Sequence, residues 1–269
     1  MMPASIVNAE AGLRLGSFVA ALLFLALAEL AAPRRPRPSG LLSRWSTNLG
    51  LVAVGAVLIR VVTPLSVVAA GALAEDRGWG MLGVLGIAAT PLGGVGAVMA
   101  LDFAVYGQHI AMHRVGVLWR LHRVHHADPA IDASTGVRFH PLEFLLSAGL
   151  KIGVVVLLGA SAAAVATFEI LLNVTSVFSH ANVRLPAGLD RFARLLLVTP
   201  DMHRVHHSVV PMEFNRNFGF ALAWWDRLCG TYRAQPEAGH EAMTIGLDAI
   251  PASRAQRFAA MLIEPFRAR

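Results

Sequence analysis

Long apolar segments separated by short polar ones form the main pattern along this chain. Residues 15–32 are apolar except for Glu29, and two further apolar segments cover residues 49–74 and 81–101. Each is close to the roughly 20 residues that an α-helix needs to cross the hydrocarbon core of a bilayer. The pattern predicts an all-α integral membrane protein whose N-terminal region, residues 1–101, contains three transmembrane spans.

The polar connections between these segments predict their orientation. The arginine-rich loop at residues 33–38 belongs in the cytoplasm by the positive-inside rule, and it argues against reading residues 15–32 as a cleaved signal peptide. The acidic connection at residues 75–78 is expected outside. Within the second span, Pro64 predicts a kink, and Arg60 must extend its charge to the interface, pair with another group or face protein. Three crossings return the chain to the cytoplasm after residue 101.

A fourth apolar stretch, residues 144–173, is interrupted by Lys151, Gly159 and Glu169. Histidine clusters lie before and after it, and one site can use both clusters only if they share a face of the bilayer. We therefore expect a membrane hairpin of two short, tilted or re-entrant helices at residues 142–178. About four crossings result, with Lys151 and Glu169 paired rather than catalytic.

The composition fits this membrane class. Hydrophobic residues make up 55% of the 269 residues and charged residues 15%, against about 25% in soluble domains. The net charge is +6, from 23 Lys+Arg and 17 Asp+Glu, but the arginines are scattered and form no basic stripe, so nucleic-acid binding is not expected. Cys229 is the only cysteine, which excludes an intrachain disulfide and a cysteine-based metal site.

Histidines are concentrated in the region that follows the third span. Ten of the eleven lie between His109 and His207. One cluster has the spacing HxxxH and two have the spacing HxxHH, so each places its rings on one face of a helix. The clusters are His109 and His113; His122, His125 and His126; and His203, His206 and His207. Eight imidazoles exceed the needs of one four- or six-coordinate ion, so the pattern predicts two metal ions.

Two familiar kinds of metal site do not fit these clusters. A zinc protease needs HExxH, but Ile110, Arg123 and Arg204 follow the first histidine of each cluster. A soluble carboxylate di-iron bundle needs Glu and Glu-x-x-His ligands, which are missing. Two histidine-bound metals beside apolar helices indicate oxidative attack on a lipid-like substrate.

These motifs resemble the fatty acid hydroxylase and sterol desaturase superfamily of membrane di-iron oxygenases. Besides the three histidine clusters, the resemblance includes RFHPLE at residues 138–143, SHAN at 179–182, NFG at 217–219 and WDRLCGTY at 225–232. It covers roughly residues 101–233. It implies a catalytic region at residues 102–233 with a cytosolic helical cap that holds two irons, followed by a cytosolic tail at residues 234–269.

The resemblance also assigns ligands position by position. The eight clustered histidines correspond to ligands, and His180 corresponds to a ninth. Family members that hydroxylate fatty acids often have a second histidine shortly after this position, whereas Ala181 and Asn182 follow here. Water, Asn182 or nothing would then complete one metal sphere. His140 is expected to be a ligand, to position the substrate or to make a structural hydrogen bond, while His240 is expected to be solvated.

Three aspartates are candidates for orienting the ligands. Asp102 precedes His109 by two helical turns on the same face, and Asp201 lies just before His203. Asp201 is expected to cap its helix, alone or while also orienting a ligand. Asp226 follows the tryptophan of a family-like Trp-Asp pair and is equally compatible with a surface position at a helix end.

The expected activity is O2-dependent hydroxylation or desaturation of a sterol, fatty acyl or related lipid. Electrons would come from an external donor such as ferredoxin, cytochrome b5 or a reductase, and ether cleavage is a further possible outcome. Zinc competes with iron for such ligands, so purified protein could carry zinc. One alternative is a membrane transition-metal transporter or metal-binding protein, for which the ligands should lie along a pathway at bilayer depth. Another is an inactive scaffold, which the intact histidine clusters disfavour.

Overall fold

The computed structural model describes residues 4–36, 40–63 and 65–267. These residues form an all-helical protein, which confirms the predicted fold class. The α-helices in chain order are α1 (Ala4–Ala31), α2 (Leu41–Val62), α3 (Val67–Arg77), α4 (Gly80–Val84), α5 (Pro91–Arg114), α6 (Gly116–His126), α7 (Pro141–Leu158), α8 (Ala162–His180), α9 (Ala187–Ala193), α10 (Pro200–His206), α11 (Pro211–Phe214), α12 (Trp224–Leu228), α13 (Gly239–Ala242), α14 (Ala252–Ala255) and α15 (Phe258–Ile263).

Several of these helices are long and apolar enough to cross a membrane. By length and composition, five segments of the described chain meet this condition: Glu10–Ala31, Leu41–Val84, Pro91–Arg114, Pro141–Leu158 and Ala162–His180. The sequence predicted about four crossings. The difference arises because both arms of the predicted hairpin, with 18 and 19 residues, are long enough to span.

The predicted second and third spans differ from the structure in their boundaries. The single span expected at residues 49–74 is divided between α2 and α3, because the Ser66 hydroxyl accepts a hydrogen bond from Ala69 N and caps a new helix. Pro64, the predicted kink, lies outside the described residues. The span expected at residues 81–101 is also wrong, since α5 begins only at Pro91 behind its Thr90 cap.

The later start of α5 changes the position of the first histidines. His109 and His113 lie near the end of this 24-residue apolar helix, and not in a polar segment after it. Asp102 lies on the same helix. The membrane region and the candidate site therefore share one continuous element.

The helices α7 and α8 form the two arms of a hairpin. Gly159 ends α7 with φ of 69°, and a Cβ at this position would overlap the carbonyl oxygen of Trp79. Helices α3 and α5 pack against both arms, and α1 and α2 pack against α8 and α7, respectively. Because α7 starts and α8 ends beside the histidines, the chain returns to the same site after the hairpin.

The C-terminal region packs onto the histidine-bearing part of the chain. Helix α15 contacts α2, and the buried guanidinium of Arg138 donates to the carbonyl oxygen of Ala255 at 2.8 Å. Arg120 donates to the carbonyl oxygen of Pro265 at 2.6 Å. The expectation that His240 is solvated is wrong, because its side chain is buried and its Nε2 lies 2.7 Å from Gln235 Oε1.

Candidate metal centre

Four helices bring nine histidines to one place. They are His109 and His113 on α5, His122, His125 and His126 on α6, His180 at the end of α8, and His203, His206 and His207 on and directly after α10. Eight of them are buried and His113 is partly exposed. The structure thus brings together all nine positions that the sequence singled out as ligands.

The nine rings are sorted into two clusters. Cluster 1 contains His109, His113, His122, His126 and His206. Cluster 2 contains His125, His180, His203 and His207. Within each cluster, one ring nitrogen from every histidine lies within 4.8 Å of the corresponding nitrogens of the others. Each HxxHH motif contributes to both clusters, so neither motif corresponds to a single ion.

Hydrogen bonds at Nδ1 hold three rings of cluster 1. His109 Nδ1 lies 2.7 Å from the carbonyl oxygen of Phe218, and His206 Nδ1 lies 2.7 Å from that of Arg216. His122 Nδ1 lies 2.7 Å from Glu143 Oε1. Since these oxygens only accept, each Nδ1 carries the proton and Nε2 keeps a free lone pair.

Cluster 2 follows the same rule. His180 Nδ1 donates to the carbonyl oxygen of Ser176 at 2.6 Å, and His125 Nδ1 donates to that of Arg138 at 3.2 Å. The Nε2 atom of His180 lies 3.1 Å from the Nε2 atoms of both His125 and His203. Because the Nδ1 atoms of His125 and His180 carry the protons, the two Nε2 atoms face each other with their lone pairs. A cation shared by both rings stabilises this arrangement.

The remaining ring nitrogens give a direct test of whether metal ions fit. Among the described residues, the buried nitrogens without any hydrogen-bond partner include Nε2 of His109, His122, His126 and His206, and both nitrogens of His113 and His207. Buried polar atoms are rarely left unpaired. Imidazole is a good donor to iron and zinc, so these unpaired, converging nitrogens fit two metal ions.

Electrostatics keep these rings neutral. Burial, and then the neighbouring imidazoles, lower the pKa well below the ordinary value of 6.5 for five histidines outside the membrane-spanning segments: His125, His126, His203, His206 and His207. A metal ligand must be deprotonated, so the fold holds these donors in the form that binds a cation.

A buried ion network supports the segment that holds His125. Arg138, whose carbonyl anchors His125, donates to Asn48 Oδ1 at 2.7 Å, and Arg44 donates to Asp128 Oδ1 at 2.7 Å. Burial alone would raise the pKa of Asp128, but Arg44 and Arg138 lower it to about 2. The network fixes the chain between α6 and α7 against α2.

Two of the predicted orienting aspartates hold the loop before α12. Asp102 accepts hydrogen bonds from Leu222 N at 3.1 Å and from the Trp225 indole at 2.8 Å. Asp226 is fully buried and accepts from Phe218 N and Gly219 N at 2.8 and 2.9 Å. Both act on the loop whose Phe218 carbonyl anchors a ligand, and neither makes a described hydrogen bond to a histidine.

Asp201 and Asn182 connect the site to the arginine-rich loop. Asp201 pairs with Arg204 and with Arg34, the latter at 3.2 Å, while the cap of α10 is Thr199. The expectation that Asp201 caps this helix is therefore wrong. The amide side chain of Asn182 exchanges hydrogen bonds with the backbone of Arg35 at 2.9 and 3.0 Å.

His140 is placed at the start of α7. Its Nδ1 accepts from Leu142 N at 3.2 Å as the helix cap, and its Nε2 lies 3.1 Å from the carbonyl oxygen of Leu262. It belongs to neither histidine cluster. The sequence analysis assigned no role to Glu143. This residue lies in the first turn of α7, and its carboxylate faces His122 on α6.

A cavity of about 530 Å³ reaches cluster 1. His109, His122 and Phe139 lie at its inner end, and residues of α1, α2, α5, α7 and α8 form its walls. Most of the lining side chains are apolar. The cavity therefore connects the candidate metal site with the membrane-spanning helices.

The part of the chain that holds the two clusters matches a known protein family. The fatty acid hydroxylase family model matches residues 94–231, just over half of the chain, and this range includes all nine histidines of the two clusters. The chain belongs to the fatty acid hydroxylase family. No solved structure matches it.

The chain is similar to an ornithine lipid hydroxylase and to an alkylglycerol monooxygenase. The ornithine lipid hydroxylase OlsE of Rhizobium tropici is 33% identical over 173 residues, which is 64% of this chain and 49% of the relative. The alkylglycerol monooxygenase of Homo sapiens is 29% identical over 142 residues, 52% of this chain and 31% of the relative. The chain thus spans about half of the first relative and about a third of the second.

Proposed function

We propose that this chain is a membrane-bound, O2-dependent di-iron oxygenase that hydroxylates or desaturates a lipid. The observation that carries the proposal is the pair of buried histidine clusters, one of which opens into an apolar cavity between membrane-spanning helices. Family membership and the names of the relatives, a lipid hydroxylase and an alkylglycerol monooxygenase, support the same chemistry.

The nine histidines would hold the two irons. Bound irons would supply the redox chemistry that activates O2 and attacks an unactivated C–H bond. The all-imidazole set donates no negative charge, so it leaves more positive charge on each ion than carboxylates would. The hydrogen bonds at Nδ1 fix the ring orientations, and hence the separation of the two ion positions.

The surrounding helices would bind the substrate and exclude water. The cavity walls come from five long helices, so a lipid would enter from the bilayer without crossing an aqueous phase. Phe139 and Phe220 lie beside the histidines at the inner end of the cavity. Their rings keep water away from the reacting carbon and limit which part of the lipid can approach it.

External electrons are a further part of the proposal. Hydroxylation transfers one oxygen atom of O2 to the lipid, and desaturation removes two hydrogens from it. In both reactions the remaining oxygen becomes water, which needs two electrons that the lipid does not supply. A ferredoxin, cytochrome b5 or reductase would provide them. We place the histidine-rich cap on the cytoplasmic face, where such donors are found.

Lipid analysis of cells tests the proposal. Three cultures would be compared, expressing the intact chain, a His206→Ala variant and a His240→Gln control. In each culture the protein would be loaded with iron and a working reductase would be present. We expect lipids that gain one oxygen or lose two hydrogens with the intact chain and the control, and not with His206→Ala. Identical lipids in all three cultures would overturn the proposal.

A further inference from the structure

The cavity contains a cluster of charged side chains far from the histidines. Lys151 on α7 donates to Glu169 Oε1 on α8 at 2.6 Å, and Arg14 on α1 donates to Glu169 Oε2 at 2.8 Å. Lys151, Arg14 and Glu169 all line the cavity. Charged groups inside a membrane region are costly, and they commonly mark a functional site.

Polar side chains lead from this charged cluster to the histidines along two helices. On α7, Glu143, Ser147 and Lys151 line the cavity at intervals of four residues. On α8, Glu169, Asn173 and Ser176 line it at similar intervals. At about 1.5 Å per residue, the charged cluster lies about 10–12 Å along these helices from the histidine end.

The lysine itself is unusual in this chain. Lys151 is the only lysine in the sequence, since all other basic side chains besides histidine are arginines. An ammonium is a compact charge with three rotatable donors, whereas a guanidinium is a rigid fork. If the position served only to neutralise Glu169 between packed helices, an arginine would serve as well.

The two ends of the cavity differ in what they offer to a ligand. At the charged end, Lys151 makes a single described side-chain hydrogen bond out of three possible, and Arg14 Nε is buried without a partner. At the histidine end, Gln108 Oε1 and Glu143 Oε2 are buried without a partner. The free donors at the charged end, on Lys151 and Arg14, can bind an acceptor oxygen of the ligand.

The charge balance favours a neutral acceptor. Glu169 is 6% exposed and Lys151 is 11% exposed, and they balance each other. Arg14 is shared between Glu169 and Glu10, which accepts at 3.1 Å from the preceding turn of α1. Two cations thus meet two carboxylates, so a hydroxyl, ester or amide oxygen fits without adding a net charge to the membrane interior.

We propose that Lys151 and Arg14 form a binding subsite for a hydrogen-bond-accepting oxygen of the lipid substrate. The inference rests on the proposed function and narrows its substrate class. An extended alkyl chain advances about 1.25 Å per carbon–carbon bond, so the oxygen would lie roughly eight to ten bonds from the carbon that faces cluster 1. A volume of about 530 Å³ suits one acyl chain, and it lies within the roughly 300–1,000 Å³ of small-ligand pockets.

A pair of matched probes tests this subsite without turnover. Methyl dodecanoate carries an ester oxygen, and tridecane has a chain of similar length without oxygen. Each would be titrated into the full-length, iron-loaded protein in lipid nanodiscs without O2, and the rise in unfolding temperature would give an apparent affinity. We expect the intact protein to prefer the ester by about tenfold.

Variants identify the groups responsible for the preference. Lys151→Met should strongly reduce the preference for the ester, since only Arg14 remains as a donor, and Lys151→Met combined with Glu169→Gln, which leaves no unbalanced charge, should do the same. Leu172→Met, at another lining position on α8, should keep it. An intact protein without preference, or Lys151 variants that retain it, would overturn the subsite.

The outcome separates the subsite from the proposed function. Binding is measured before any reaction, so a strongly reduced preference in the lysine variants supports the subsite even where no oxidised lipid is found. Conversely, oxidised lipid together with an unchanged preference in Lys151→Met supports the oxygenase and overturns the subsite.

Discussion

His122 donates its Nδ1 proton to Glu143 Oε1 across 2.7 Å, and both side chains are buried. The bond joins α6 to the first turn of α7 and turns His122 Nε2 towards cluster 1. Among the Nδ1 anchors described for cluster 1, it is the one made by a side chain. It is therefore the anchor that a substitution can remove.

Replacing Glu143 with leucine should weaken iron binding in cluster 1. A lost ligand-orienting partner typically costs about 10–100-fold in metal affinity or activity. Glu143→Gln retains an acceptor oxygen for Nδ1 and should recover most of the affinity. Iron competition with a chelator would measure both variants, and equal loss in leucine and glutamine variants would contradict an orienting role.

Single histidine substitutions should remove one iron at a time. His113→Ala affects cluster 1 and His180→Ala affects cluster 2, so each variant should retain about one iron of about two, and the double variant about none. Metal analysis after purification measures this. Loss of both irons in each single variant would show that the clusters do not bind independently.

His140 provides the matched control for that experiment. Because its ring caps α7 and lies outside both clusters, His140→Ala should keep about two irons. It should lose about 1 kcal/mol of stability from the missing cap. Loss of iron in this variant would instead indicate that His140 contributes to metal binding.

Asp226→Asn should disturb cluster 1 through the loop that contains Phe218. Asp226 accepts from Phe218 N, Gly219 N and the Thr231 hydroxyl, and an amide would place an N–H against one of these donors. An unsatisfied buried group costs about 1–3 kcal/mol. The unfolding temperature and the iron content should both fall in Asp226→Asn. The control Asp248→Asn, at an exposed position, should change neither.

His240 should make the folded state sensitive to acid. Burial lowers its pKa to about 4, although Asp201 opposes this shift. The unfolded chain takes up the proton near pH 6.5, so His240 has no effect on stability above that pH and reduces stability as the pH falls from about 6.5 to about 4.

The variant His240→Gln isolates this effect from the other histidines. Glutamine can still donate to Gln235 but does not titrate. Between pH 6.5 and 4, the free energy of unfolding of the intact protein should fall more steeply than that of the variant, by up to about 1 kcal/mol per pH unit. Parallel stability curves would show that His240 does not titrate in this way.

Much of the architecture was predictable because its signals are local. Apolar segments of spanning length indicated the membrane helices, and the i, i+3 and i+4 spacings placed each set of histidine rings on one helix face. Helix boundaries were less predictable. The Ser66 and Thr90 caps, which divide the second span and shift the start of α5, compete with an apolar pattern that continues across them.

By itself, the sequence determined an all-helical membrane protein and singled out the nine histidines that the fold brings together. Only the tertiary structure decided which ring joins which cluster, because His125 and His126 are neighbours on α6 but His125 meets a histidine of α8, whereas His126 meets histidines of α5. It also decided the anchors, since every residue has a backbone carbonyl and none signals its use. The same holds for Arg14 and Glu169, which meet across 155 positions only when the helices pack.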